Sequence, residues 1–149
     1  AEPARVDLIL ATHGHGDHIA DVVRIATKHD CPVACGHELS MHFESKGVAK
    51  ASGMGKGGSQ TLVGLRVTAT NAIHSSSVDA ESGAPYAGEP MGYVLTLENG
   101  DRLYHAGDTG PMMDTSPPLT GRPEMLEAEL AGFGVKAEVV KLEPGGIAS

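Results

Sequence analysis

Val6 to Ala11 reads Val-Asp-Leu-Ile-Leu-Ala and runs directly into Thr12-His13-Gly14-His15-Gly16-Asp17-His18. This junction constrains the chain more than any other stretch. A short, nearly continuous apolar run has the pattern of a strand covered on both faces. Side chains two apart on an extended segment point the same way, so His13 and His15 can grip one metal ion. Asp17 and His18 follow where the chain turns into a helix, so they can aim at a second, adjacent ion. Gly14 and Gly16 remove Cβ atoms and let the loop wrap closely. A solvated polar turn would not need this dense, regularly spaced set of imidazoles and a carboxylate; a metal site does.

From Asp17 the apolar residues Ile19, Val22, Val23 and Ala26 recur at helical spacing, which predicts one helix to about His29. Cys31 to Cys35 suits a short strand and Glu38 to Lys46 a helix. Ser52 to Ser59 is too glycine-rich for a regular element. Gln60 to Ala72 alternates, with Leu65, Val67 and Ala69 on one face, as a single half-buried strand does. Ser75 to Pro90 reads as a long loop. Tyr93 to Glu98 and Arg102 to His105 flank Asn99-Gly100, a type I′ hairpin signal. Pro111 to Pro123 reads as irregular, Glu124 to about Phe133 as a helix, and Lys136 to Leu142 as a strand.

Two further residues join the motif by their placement. His74 ends a half-buried strand; alone it reads as a structural histidine, but beside the upstream motif it reads as a third ligand of the first ion. Asp108 follows a strand in Gly107-Asp108-Thr109-Gly110 and reads as a carboxylate bridging two cations rather than a plain turn residue. His105 is placed to orient the Asp108 loop. His29, His37 and His42 read as surface or structural residues. Cys31 and Cys35 read as buried small apolar residues. Lys56 lies in Gly-Met-Gly-Lys-Gly-Gly, which lacks the spacing of a phosphate-binding loop and reads as a linker.

Composition narrows the class. The chain has 149 residues, enough for one domain. It carries 11 Lys plus Arg against 19 Asp plus Glu, a net charge of −8, which argues against a nucleic-acid partner. No apolar run reaches the roughly 18 residues of a membrane span. Two cysteines exclude a disulfide scaffold, so a reducing, cytoplasmic setting is expected. Leu, Ile, Val and Phe make up only about a fifth of the chain, close to the lower limit for a folded core. An exposed sheet edge on so thin a core favours self-association into a homo-oligomer.

Thr12 to His18, Ala72-Ile73-His74-Ser75-Ser76 and Tyr104-His105-Ala106-Gly107-Asp108-Thr109-Gly110 together resemble the metallo-β-lactamase superfamily. Within it the chain is similar to the metal-dependent hydrolases related to L-ascorbate-6-phosphate lactonase. Gly53-Met54, Gly57-Gly58-Ser59 and Met91-Gly92-Tyr93 fit that group too. The resemblance implies an α+β fold, an αββα sandwich. It implies that His13, His15 and His74 bind one ion, that Asp17 and His18 bind the other, and that Asp108 bridges. The family carries further strands before the residue matching Val6 and a late His for the second ion, whereas no His follows His105 here. The expectation is a partial domain over residues 1–149, incomplete at both ends, with a divergent segment at 111–149 and a weakened second site.

The expected activity is metal-dependent hydrolysis of an ester, lactone or phosphoester in a small-molecule substrate. Two divalent cations, zinc before manganese or iron, would lower the pKa of a shared water and hold it as hydroxide. Asp17 and Asp108 are the candidate catalytic carboxylates, Asp17 as proton acceptor or relay. Two other readings stay open: a catalytically incomplete metal-binding fragment, and a metallo-nuclease or phosphodiesterase.

Overall fold

The computed structural model describes residues 3–79 and 83–110. Its elements follow in the order β1 (Ile9–Leu10), α1 (Gly16–Ile19), α2 (Val22–His29), β2 (Val33–Gly36), α3 (His37–Ser45), β3 (Ala51–Met54), β4 (Ser59–Leu62), β5 (Leu65–Asn71), β6 (Met91–Thr96) and β7 (Arg102–His105). β1, β2 and β3 form a parallel sheet in that order, with helical crossovers as parallel neighbours require. β4 to β7 form an antiparallel meander.

Alternation along the strands sorts the core into two clusters. Val33 and Cys35 of β2 pack with Leu39 and Phe43 of α3 and with Val22 and Ala26 of α2. Ala34, between them, faces the other way and packs with Val67, Ala69, Met91 and Tyr93 of the antiparallel sheet. The described layers are therefore helices, parallel sheet and antiparallel sheet. That is an α+β arrangement and three of the four layers expected. Tyr93 is fully buried, and its hydroxyl reaches across to the carbonyls of Ala11 and Ala34 at 2.8 and 3.2 Å.

Several expectations need correction. The single helix from Asp17 is two helices, α1 and α2, separated at Ala20-Asp21. Ala20 N–H closes the first on Gly16, and Ile25 N–H opens the second on the Asp21 carbonyl. The glycine-rich stretch after Ala51 is partly strand: β3 pairs with β2 along its whole length. Gly53 is there for closeness rather than flexibility, since a Cβ would stand 2.8 Å from Ser40 Oγ and 3.2 Å from His37 Cα of α3.

The single strand from Gln60 to Ala72 is a hairpin. Leu62 pairs with Leu65 across Val63-Gly64, whose φ angles of 47° and 85° are those of a type I′ turn. Asn99-Gly100 does turn a hairpin, but not of that type. Only Gly100 has positive φ, at 89°, and Leu97 N–H bonds to Asp101 O while Gly100 N–H bonds back to Leu97 O. This is a longer turn closed by a left-handed glycine. Asn99 Oδ1 fixes it by accepting the Asp101 N–H at 3.0 Å. The expected strand from Val6 shrinks to Ile9–Leu10, because β2 is its one partner in the described sheet. Val6 and Leu8 pack against the core without pairing. The described residues 75–79 and 83–90 hold no helix or strand; Ser77 bridges to Tyr86. The helix, strand and divergent segment expected after residue 110 lie outside the described residues.

The three parallel strands end on one edge, where open α/β sheets carry their ligand sites. Met91 N–H bonds to the Thr12 carbonyl at 3.0 Å, which joins the start of β6 to that edge.

Candidate metal centre

The residues after β1 turn at once into α1, and Gly14 there is crowded by atoms that cannot readily give way. A Cβ on Gly14 would stand 2.6 Å from Ala87 Cβ and 2.8 Å from the Ser77 carbonyl. Gly14 N–H donates to Ser76 Oγ at 3.1 Å. The loop 75–79 thus presses His13 and His15 inward. His74 arrives from the end of β5 and Asp108 from the end of β7, so the antiparallel sheet supplies the other half of the site.

The rings converge. His13 lies with its ring centroid 4.6 Å from His15, 4.1 Å from His18 and 4.9 Å from His74, and His15 lies 5.2 Å from His74. One ligand atom each from His13, His15 and His74 falls within 4.8 Å of the others, and so does one each from His13, His18 and Asp108. Asp108 Oδ2 sits between two imidazoles, 3.3 Å from His18 Nε2 and 3.9 Å from His74 Nε2. Asp17 stands at the rim. Its carboxylate is 3.7 Å from His18 Nε2 with the side chain 81% exposed, and it belongs to neither close group.

His13 is the electrostatic centre. Burial first, then the imidazoles of His18, His15 and His74, pull it from an ordinary 6.5 down to about 4. It is therefore neutral at physiological pH and offers a lone pair, as a ligand must. Its Nδ1 pairs with Thr12 Oγ1 at 3.0 Å, and its Nε2 meets His15 Nδ1 at 3.1 Å. Four imidazoles and a carboxylate gathered at one half-buried spot fit a divalent ion, because a cation gives every one of those lone pairs a partner.

The sequence pattern places the other candidates less centrally. His105 is exposed on β7 and makes no hydrogen bond to Asp108 among the described residues. Cys31 and Cys35 are buried and free, as expected. Lys56, read as part of a linker, instead makes three hydrogen bonds to Asn71, Ala72 and Glu89. Thr12 and Thr109 were also missed; Thr109 Oγ1 accepts the Ile73 N–H at 2.9 Å. The partners of Lys56 and Thr109 are distant in sequence, so no local pattern announces them. No described helix is long and apolar enough to cross a membrane.

Comparison with known proteins places the chain in a family. Residues 1–135 match the family described as beta-lactamase superfamily domain. A UPF0173 metal-dependent hydrolase of Rubrobacter xylanophilus is 43% identical over 110 residues, covering 73% of this chain and 46% of that protein. One of Methanosarcina barkeri is 42% identical over 129 residues, covering 87% and 54%. The solved structure of a metallo hydrolase from Ignicoccus hospitalis superposes with a TM-score of 0.61 at 31% identity, covering 74% of this chain and 45% of that one. The chain spans about half the length of the curated relatives it matches. With this match and the metallo-β-lactamase fold, the chain belongs to the metallo-β-lactamase superfamily, among its metal-dependent hydrolases.

Proposed function

We propose that the chain carries the metal centre of a hydrolase that cleaves an ester, lactone or phosphoester bond in a small-molecule substrate. The observation that carries this reading is Asp108 Oδ2 lying between His18 and His74, beside the close group of His13, His15 and His74. In it His13, His15 and His74 hold one divalent ion, zinc by preference, and Asp17 and His18 hold a second, with Asp108 shared. Bound ions supply Lewis acidity, activating water and polarising the bond under attack. Asp17, exposed at the rim, is placed to take up the proton released. Neutral His13 keeps a lone pair free for the metal. No Ser or Cys nucleophile is required.

A second reading, one ion per chain, is supported by the position of Asp17. If His13 serves the first ion, Asp17 must turn inward to complete the second set. Metal content by mass spectrometry on chelator-free protein separates the two readings. Two ions per chain, with turnover in a screen of lactones, phosphomonoesters, phosphodiesters and RNA, is the expected result. Lactones come first in that screen because of the resemblance to L-ascorbate-6-phosphate lactonase. One ion and no turnover overturns the hydrolase reading of this chain in favour of a metal-binding one. RNA cleavage alone favours the nuclease.

A further inference from the structure

His74 has to be brought back from the end of β5 to meet His13 and His15, and little apolar packing holds it there. β5 pairs with β6 up to Asn71, opposite Met91. Ala72 is buried, but Ile73 is 52% exposed and contributes little to the core. The segment carrying His74 is instead tied by polar contacts, from Thr109 and Gly110 to Ile73 on one side and from Lys56 to Asn71 and Ala72 on the other.

The Lys56 ammonium has three protons and three acceptors: Asn71 Oδ1 at 2.9 Å, Glu89 Oε2 at 3.0 Å and the Ala72 carbonyl at 3.4 Å. It is not a loose surface chain. Its side chain is 27% exposed, and the turn that bears it is sewn to β5, with Gly57 N–H on the Ala69 carbonyl at 2.8 Å and Ala69 N–H on the Gly58 carbonyl at 2.9 Å. Glu89 is held from its other oxygen by the Tyr86 hydroxyl at 2.7 Å. Two residues after Glu89, Met91 N–H holds the carbonyl of Thr12, the neighbour of His13. Lys56 therefore joins two frames: the one that ends in His74 and the one that abuts His13.

We propose that Lys56 is a positioning residue for the metal site, setting the place of His74 relative to His13 and His15 through Ala72 and Glu89. The proposal rests on His74 being a ligand, as in the function proposed above. It explains why a lysine stands in an otherwise glycine-rich turn: the glycines let the turn lie against β5, and the ammonium reaches the strap from there. Removing the charge frees the Ala72 carbonyl and Glu89, and His74 swings away from the other two imidazoles. Contacts that orient ligands typically govern roughly 10- to 100-fold in metal affinity. Lys56 acts through backbone two residues from the ligand, so the lower end, about tenfold, is the expected loss.

The test uses the 149-residue chain loaded with cobalt(II), whose visible absorption reports ligand geometry. Wild type, Lys56→Met, Lys56→Arg and His74→Ala are titrated with the ion, and each metal-free protein is unfolded in urea. The proposal expects Lys56→Met to bind about tenfold more weakly with an altered cobalt spectrum and an unchanged metal-free urea midpoint. It expects Lys56→Arg to restore most of both. Two results overturn it: wild-type affinity and spectrum in Lys56→Met while His74→Ala loses the ion, or an affinity loss matched by an equal loss of metal-free stability. If His74→Ala itself binds cobalt like wild type, the ligand assignment beneath the proposal fails instead.

Discussion

Thr109 Oγ1 accepts the backbone N–H of Ile73 at 2.9 Å, and the Ile73 carbonyl accepts the Gly110 N–H at 2.8 Å. One residue is thus gripped on both its polar groups by the loop that carries Asp108. The Thr109 hydroxyl spends its own proton on the Gly110 carbonyl at 2.9 Å, so donor and acceptor are both engaged. His74 and Asp108 come from different strands, and this stitch sets the spacing between them.

Thr109→Val keeps the shape and removes the hydroxyl. Metal affinity is expected to fall by about tenfold, at the lower end of what orienting contacts contribute, while Thr109→Ser stays near wild type. Isothermal titration with zinc measures both. Equal affinity in all three proteins would show that the stitch does not govern the site.

Gly14→Ala tests the crowding behind His13. The new methyl meets Ala87 Cβ and the Ser77 carbonyl, at 2.6 and 2.8 Å, and neither is the far end of a flexible side chain. Overpacking of this kind costs about 1–3 kcal/mol. Urea unfolding of the metal-free protein should show that loss, and zinc affinity should fall with it as His13 and His15 are displaced. A variant as stable as wild type would mean that the loop 75–79 gives way freely.

Tyr93→Phe addresses the contact between the sheets. The hydroxyl shares one proton between the carbonyls of Ala11 and Ala34. Ala34 keeps the Ala11 N–H at 2.9 Å, so the loss falls on the Ala11 carbonyl, and leaving a buried acceptor unpaired costs about 1–3 kcal/mol. Burial also raises the Tyr93 pKa above its ordinary 10.0. The unfolded chain then ionises first, so this contribution is complete below pH 10 and is lost as pH rises beyond it. The stability difference between wild type and Tyr93→Phe should therefore shrink between pH 9 and pH 11. A difference that holds constant across that range would contradict the burial argument.

Burial pushes the Cys35 thiol up to about 12, and burial likewise raises Cys31 from 9.0. Thiolate is the reactive species. Iodoacetamide at pH 8 should leave both cysteines of the folded protein unmodified and label both in urea, read by mass mapping. Rapid labelling of Cys35 without denaturant would show that β2 is open to solvent.

The sequence disclosed the densest part of the site because His13, His15 and His18 are neighbours along the chain and their spacing alone groups them. His74 and Asp108 were legible only in that company, since a lone histidine or a turn aspartate has plainer uses. What escaped was of two kinds. Lys56, Thr109 and Tyr93 act on backbone atoms far away in sequence, and backbone carbonyls carry no residue code. The β4–β5 hairpin escaped because Val63 occupies a left-handed position that β-branched residues avoid. Gly64 between Leu62 and Leu65 was the available signal. β3 escaped because Gly53 was read as a breaker, when its role is to admit α3.

The donors reach the site in two instalments. His13, His15 and His18 come early, from the end of β1; His74 and Asp108 come late, from the ends of β5 and β7. During synthesis the first trio is made long before its companions, and the full donor set exists only after almost all of the described chain has emerged. On the function proposed above, an ion held by both groups of donors joins the two sheets. On that reading loading comes late in folding, and a chelator works against the joint between the sheets as much as against the chemistry.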